Sequence, residues 1–387
     1  MSTIIIHQKI LPHYRVAIFD ALINKLKNTT IIYGQQQKNE SLKSVILKKE
    51  NYTQIKNYYF FKDKIFYSGA SGLILKNNPK VIITQFNVGN LNLYLLFLLR
   101  PIFNYKIILW NFGYDPENGF FPKKILKDKV RLFFYQKSDA SIFYWKKGKE
   151  VIEEYSVKTK HYFVAPNTLD TVTLVKYRKK FDSVGKGMLK AELGIIEKYH
   201  FVYVGRLLED KQIDLLFKAY SKLKNQNKIR LSIIGAGPEL LRLRKLAEEL
   251  NLINCFFLGE ILDQVEVGKW IYISDAFVMP GRLGNSVVHS FCFGVPIISQ
   301  KKDYFYHGEG IGYIKNNENA FLAKDNDELD FAEKMKILME NPLIAEEMKE
   351  VAIKTVEDDC SLEKMIEGFE NAINYVTKNN HENSASS

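Results

Sequence analysis

Short runs of β-branched and aliphatic residues alternate along the chain with longer stretches in which apolar positions recur at helical spacing. In the first half the runs are Ile4-Ile5-Ile6, Ile31-Ile32-Tyr33, Val81-Ile82-Ile83, Ile107-Ile108-Leu109 and Ser141-Ile142-Phe143; in the second they are 201–204, 231–234, 255–258, 276–279 and 296–299. Strands that recur with helices between them predict parallel sheets, so the chain reads as α/β with two Rossmann-like lobes. Such lobes offer strand ends and helix amino termini to a ligand cleft between them, where an anion is the natural guest. The polar stretch 176–190, with Lys179-Lys180, Asp182-Ser183 and Gly185-Lys186-Gly187, reads as a surface linker or solvated helix. It puts the boundary within 175–195, giving domains 1–180 and 190–360. From Leu329 the periodicity predicts continuous amphipathic helix to about Lys378, with 361–380 as a C-terminal helix and 381–387 as a disordered polar tail.

A length of 387 residues accommodates two lobes, and 46% hydrophobic with 26% charged residues excludes a disordered or fibrous chain. The net charge of +11 is unevenly placed: residues 1–190 hold 32 Lys and Arg against 13 Asp and Glu, whereas 191–387 hold 23 against 31. A basic first lobe predicts an anionic partner there. In 120–137, Lys123, Lys127 and Arg131 form one stripe and Leu126, Val130, Phe133 and Phe134 another. That is the pattern of a basic helix lying on an anionic membrane surface, although a core-facing helix with a solvated back shows it too. The Tyr-rich basic stretch 52–66 would suit nucleic acid, yet no nucleic-acid motif accompanies it and no such partner is expected. Cys255, Cys292 and Cys360 belong to no CxxC or Cys/His cluster, which supports neither a disulfide framework nor a zinc site and fits a reducing cytosol. The amino terminus lacks the features of a secretory signal, and the most apolar stretch, 93–99, falls far short of the ~20 residues of a membrane span. The expected location is cytoplasmic, peripheral on the inner face of the cell membrane.

Three loops carry candidate chemistry. After 201–204, Gly205 turns the chain and Arg206 and Lys211 flank the turn, a planar fork and a point charge able to converge on a diphosphate. The alternative is a pair of ordinary surface cations. After 231–234, Gly235-Ala236-Gly237-Pro238-Glu239-Leu240 imitates a dinucleotide fingerprint, but Leu240 stands where the third glycine belongs, which favours a plain strand-to-helix turn. After 276–279, Pro280-Gly281-Arg282-Leu283 leads to a helix whose N–H groups at Gly284, Asn285 and Ser286 form an anion seat. His289, about a turn further on, either faces the same ligand or packs in the core. Asp325-Asn326-Asp327 reads as a helix cap and not a metal seat; no metal or cofactor is expected.

In order and spacing these segments resemble the GT-B glycosyltransferases of retaining family 4. Gly205-Arg206 with Lys211 is similar to the family's Gly-Arg–Lys element, whose arginine and lysine bind the donor diphosphate. Gly237 falls in the family's next turn. Phe257-Leu258-Gly259 with Glu260 and Ile261 resembles the loop that holds the nucleobase, and 284–296 resembles the donor-site helix, with Arg282 a further donor-binding candidate just before it. Ala165-Pro166-Asn167-Thr168-Leu169-Asp170 looks like the Pro-Asn-x-x-Asp stretch before the interdomain linker. The resemblance implies two Rossmann-like domains facing a central cleft, with C-terminal helices packing back towards the first. It implies transfer, with retention, of a hexosyl or deoxyhexosyl group from a nucleotide-sugar donor to a growing, lipid-linked cell-surface glycan. Arg206 and Lys211 would stabilise the departing nucleoside diphosphate, and neither a dedicated base nor a metal is required.

The family's two glutamates, eight positions apart, correspond here to Gly281 and His289, which resembles a Pro-Gly-x-x-Gly…His variant among surface-polysaccharide enzymes. Trp110-Asn111-Phe112-Gly113 stands where related chains have a Trp-Gly-His-Gly-like stretch, and Leu11-Pro12-His13-Tyr14-Arg15 replaces a glycine-rich loop. His13, Tyr14, Arg15, Asn111 and Asn167 are the acceptor-side candidates. Two other readings stay open: a nicotinamide-dependent oxidoreductase, and a non-catalytic protein that binds a glycan or nucleotide.

Overall fold

The isoleucine-rich runs of the first half are buried on both faces, as strands covered by helices require. They are β1 (Ile4–Gln8), β2 (Thr29–Gly34), β3 (Tyr52–Ile55), the hairpin strands β4 (Asn57–Phe60) and β5 (Ile65–Ser68), β6 (Val81–Gln85), β7 (Lys106–Asn111), β8 (Ala140–Phe143) and β9 (Tyr162–Val164). Seven form one parallel sheet in the order β3-β2-β1-β6-β7-β8-β9, while β4 and β5 pair antiparallel. The order reverses between β1 and β6. Helices α1 (Val16–Lys25), α2 (Ala70–Lys76), α3 (Leu91–Phe103), α4 (Leu126–Lys137) and α5 (Lys146–Tyr155) connect them. Asn90 caps α3 by accepting from the Asn92 N–H, and Asn104, at φ 50°, closes it in the left-handed conformation that asparagine tolerates.

This computed structural model describes residues 3–36, 44–61, 64–115, 119–121, 125–155 and 161–384, with side chains through Lys378. The chain divides into two compact units, Met1–Leu169 with Leu362–Ser387, and Asp170–Ser361. In the second, β10 (Tyr199–Val204), β11 (Ile229–Ile234), β12 (Cys255–Gly259), β13 (Ala276–Val278), β14 (Ile297–Gln300) and β15 (Ala320–Ala323) form a parallel sheet ordered β12-β11-β10-β13-β14-β15. Its helices are α6 (Thr171–Val184), α7 (Lys186–Glu192), α8 (Ile213–Ser221), α9 (Leu240–Glu249), α10 (Gln264–Tyr272), α11 (Ser286–Cys292), α12 (Tyr304–His307), α13 (Glu328–Glu340) and α14 (Pro342–Thr355). The order reverses between β10 and β13, so the loops leaving these two strands lie side by side.

Four expectations change. The division falls at Leu169/Asp170, ahead of 175–195, because the polar stretch forms α6 and α7, and α6 packs on α10 and α11 through Phe181 against Tyr272 and Phe293. Asp170 starts α6 by accepting from the Thr173 N–H. The helix after Leu329 is not continuous: it breaks at Asn341-Pro342, where proline opens α14, and again at Ser361. Of the late helices, only Leu362–Ser384 joins the first unit, where Phe369 meets Trp110 edge-on at 5.0 Å and Tyr375 stacks on His161 at 3.7 Å. The tail expected from His381 is helical through Ser384, and 385–387 lie outside the described residues. Among the described residues no helix is long and apolar enough to cross a membrane.

Candidate functional site

The loops leaving β10, β11 and β13 are joined through their backbones. Gly205 N–H donates to Ile234 O at 3.0 Å and Leu207 N–H to Ala236 O at 2.9 Å, pinning the 205–207 loop to the 235–237 loop. A Cβ on Gly235 would fall 1.9 Å from Gly205 O, and one on Gly237 2.2 Å from Leu207 O. The glycine pair is thus a strand-to-helix turn whose bare α-carbons let two backbones touch. Leu207 is fully buried, and the exposed Arg206 precedes it.

The opposite edge of the 209–211 turn is held to the loop after β13. Gly281 N–H donates to Lys211 O and Arg282 N–H to Asp210 O, both at 3.0 Å, while Lys211 Nζ donates to Arg282 O. A Cβ on Gly281 would sit 2.2 Å from Asp210 O and 2.4 Å from Lys211 Cα. No side chain fits there without breaking this junction. Burial lowers the Lys211 pKa to about 8; Asp210 and Glu309 work against that shift, while Arg206 and Arg282 add to it. The turn thus gathers three cations at one strand end.

A further loop supports the same backbone. Gln300, buried at the end of β14, donates through Nε2 to Pro280 O at 2.8 Å and Gln212 Oε1 at 2.7 Å, and its Oε1 accepts from the Asn326 N–H at 2.6 Å. His307 Nε2–H donates to Gln300 O at 2.8 Å, Tyr306 OH donates to Asp210 O at 2.9 Å, and burial lowers the His307 pKa. Sequence reasoning missed Gln212, Gln300, Tyr306, His307 and Glu309. The available signal was Tyr304-Phe305-Tyr306-His307, an aromatic run followed by Gly308 and Gly310 directly after a buried strand.

Gly284, Asn285 and Ser286 are half-buried ahead of the first bonds of α11, Val287 N–H to Gly284 O and His289 N–H to Asn285 O. His289 is a packing residue: its Nε2–H donates to Gln264 O at 3.0 Å, its ring lies 5.7 Å from that of Phe293, and burial lowers its pKa to about 4. It is neutral at pH 7 and brings no charge to a ligand. Glu260 is exposed and Ile261 half-buried on the loop after β12. The structure therefore gathers Gly205, Arg206, Lys211, Arg282 and the start of α11, sets Gly237 behind them as packing, and leaves Glu260 and Ile261 after β12, two strands from β10 at the sheet edge. Asp327 caps α13 by accepting from Leu329 and Asp330 N–H groups, and among the described residues no cluster of His, Cys, Asp and Glu could hold a metal.

In the first unit the acceptor-side candidates separate. Arg15 is buried, with Nη1 donating to Gln8 Oε1 at 2.7 Å and its guanidinium 4.7 Å from the Trp110 ring. Asn111 is buried, and its Oδ1 accepts from Tyr135 OH and, at 2.7 Å, from Gly113 N–H. Both brace the ends of β1 and β7. Asn167 is buried with its N–H donating to Tyr144 O at 2.9 Å, Tyr14 is half-buried, and His13 is exposed. The stripes expected on α4 are not realised: Arg131 is buried on Asp128 and lies 3.7 Å from Asp115, Lys127 pairs with Asp115 at 2.7 Å, and Leu126 is 75% exposed. Lys123 lies outside the described residues. What α4 does form is one wall of a 220 Å³ pocket at the ends of β6 and β7, with Phe86, Phe112, Tyr114, Asp115, Lys127 and Arg131.

The two parallel Rossmann-like sheets match the GT-B fold of solved glycosyltransferase structures. Residues 189–355, within the second unit, match the family Glycosyl transferases group 1. An uncharacterized glycosyltransferase of Methanocaldococcus jannaschii is 26% identical over 64% of this chain and 58% of its own length. The D-rhamnosyltransferase WbpZ of Pseudomonas aeruginosa is 30% identical over 38% of each chain. The chain thus spans from about a third to just over half of these relatives. The crystal structure of HepE from Anabaena in complex with UDP superposes with a TM-score of 0.71 over 96% of this chain and 99% of that one, at 12% identity.

Proposed function

We propose that the protein transfers a hexosyl or deoxyhexosyl group, with retention, from a nucleotide-sugar donor to a lipid-linked glycan of the cell surface. The observation that carries this reading is the junction of the Arg206–Lys211 turn with the 281–284 loop, which presents Arg206, Lys211, Arg282 and the first N–H groups of α11 together. An anion there meets charge fixed before it arrives, in surroundings dry enough to depress the lysine pKa, so the departing diphosphate is stabilised more than in water. A structural neighbour that binds UDP supports a nucleoside diphosphate as that anion. The leaving phosphate receives the acceptor proton, so the reading needs neither metal nor side-chain base.

For the acceptor, the 220 Å³ pocket offers aromatic faces beside an ion-paired carboxylate, a combination suited to sugar rings. Attachment at the inner membrane face is supported by α3 in place of the α4 stripe. Leu91, Tyr94, Leu98 and Ile102 lie along one exposed face of α3, Leu98 at 73% and Ile102 at 74%, with Phe133 of α4 50% exposed and Arg100 and Lys137 close by.

Thermal unfolding with UDP, GDP, dTDP and NAD tests the reading. One of the nucleoside diphosphates should stabilise the protein, and Arg206→Ala or Lys211→Ala should weaken that ligand about 10- to 100-fold, the scale of a lost charge-assisted contact. Stabilisation by NAD alone would replace the transferase with an oxidoreductase. Binding without turnover on any nucleotide-sugar would leave a non-catalytic binding protein.

A further inference from the structure

The junction that requires glycine at 281 leaves the donor loop without a carboxylate of its own, yet a carboxylate reaches this site from elsewhere in the chain. Glu309, half-buried, opens the 3₁₀ turn Glu309–Tyr313 directly after α12. Its neighbour Gly310 packs so closely on the start of α11 that an added Cβ would lie 2.8 Å from Gly284 O and 3.0 Å from Gly284 N. Glu309 is therefore the chain neighbour of a residue that packs against the backbone leading into α11. The segment before it is fixed at two points, Tyr306 OH on Asp210 O and His307 Nε2 on Gln300 O. The charge of Glu309 also reaches Lys211. Of the carboxylates acting on that ammonium among the described residues, Asp210 belongs to its own turn and Glu309 arrives from the covering loop; Arg206 and Arg282 oppose them, and the buried His307 adds no charge near pH 7.

We infer that Glu309 is the donor-binding carboxylate of this site, accepting hydrogen bonds from hydroxyls of the transferred sugar while the cations hold the diphosphate. The inference rests on the transferase reading above and adds the residue that recognises the sugar. A carboxylate accepts from hydroxyl donors and repels phosphate, so its place beside a cluster of cations separates the two ends of one donor: the diphosphate goes to Arg206 and Lys211, the hydroxyls to Glu309. The covering loop then selects the sugar, and the junction of the 209–211 turn with Gly281 selects the phosphates.

Calorimetry at pH 7 on wild type, Glu309→Gln and Glu309→Asp, with UDP/UDP-glucose, UDP/UDP-N-acetylglucosamine, GDP/GDP-mannose and dTDP/dTDP-rhamnose as paired probes, tests this. For the pair that wild type binds best, Glu309→Gln should weaken the nucleotide-sugar about 10- to 100-fold, the scale of one or two hydrogen bonds to a charged group. The bare nucleotide should bind equally well or tighter, since a negative charge has left the phosphate site. Glu309→Asp, which keeps the charge, should retain part of the sugar affinity and serves as the readout if Glu309→Gln does not fold. Equal weakening of nucleotide and nucleotide-sugar would show a structural role and overturn the inference, as would an unchanged sugar affinity. A wild-type chain that binds none of the probes would overturn the transferase reading itself, and this inference with it.

Discussion

Lys211 is held where its own charge is disfavoured. Burial lowers its pKa to about 8 from 10.5, so below pH 8 the free protein carries an ammonium that is poorly solvated and ready for an anion. Between about pH 8 and 10.5 the unfolded chain binds this proton and the folded chain does not, so this group makes the ligand-free protein more stable as pH rises through that window. Ligand affinity runs the other way. The dissociation constant of the stabilising nucleoside diphosphate should rise above pH 8, by up to about tenfold per pH unit, because binding then requires taking up a proton. Lys211→Arg should remove the inflection and Lys211→Ala should remove both inflection and affinity; a flat profile from pH 7 to 9.5 in wild type would show that Lys211 does not meet the phosphates. Gly281 shows what single residues conceal in a sequence. As a letter it is a missing glutamate, whereas in the fold it is the α-carbon on which the 209–211 turn rests. The compensating Glu309 stands 28 positions away in a segment with no helical or strand periodicity, so nothing local connects the two.

Among the elements, each of the ten apolar runs falls on a strand; nine lie on strands buried on both faces, which have to be apolar almost throughout, and the tenth is β12, an apolar strand half-exposed at a sheet edge. The strands not legible in the sequence are β3, β9 and β15 at sheet edges and the hairpin β4–β5, all three or four residues long. An edge strand such as Tyr52-Thr53-Gln54-Ile55 has one neighbour and tolerates polar side chains, so it lacks the aliphatic signature. Helix α4 misleads for a different reason: a periodicity argument sends charges outward, but Asp128 and Arg131 neutralise one another inside. On α3, Leu91, Tyr94, Leu98 and Ile102 leave a row of apolar side chains exposed along one face. Leu98→Glu with Ile102→Glu should reduce sedimentation with phosphatidylglycerol-containing liposomes at least about tenfold, given roughly 1.5–3 kcal/mol for burying each leucine-sized side chain. Nucleotide binding should persist. If wild type and variant sediment alike, α3 does not enter the lipid; concentration-dependent dimerisation lost in the variant would instead make this face a contact between two copies of the chain.

At the scale of the whole molecule, the first unit is completed by residues from the far end of the chain. Leu362–Ser384 returns to lie on β8, β9 and α1, and Gly368 is the point of closest approach: a Cβ there would fall 2.2 Å from Val164 O and 2.8 Å from the Ala165 Cα. Since helix backbone and strand end already touch, Gly368→Leu has no cavity to fill and has to push the C-terminal helix off, withdrawing Phe369 from Trp110. The cost should be about 3 kcal/mol or more, with hydrogen exchange accelerated in β7, β8 and β9. The helical glycine Gly187 has nothing within 4 Å of its would-be Cβ, so Gly187→Ala should stabilise by about 0.5–1 kcal/mol and provides the control. The two units have separate sheets and cores, so Gly368→Leu should leave β10, β11 and β13 protected and nucleotide binding in place. Exchange that rises equally in both sheets would mean that the chain unfolds as one cooperative body, and that the returning helix stabilises the donor-side sheet as much as its own.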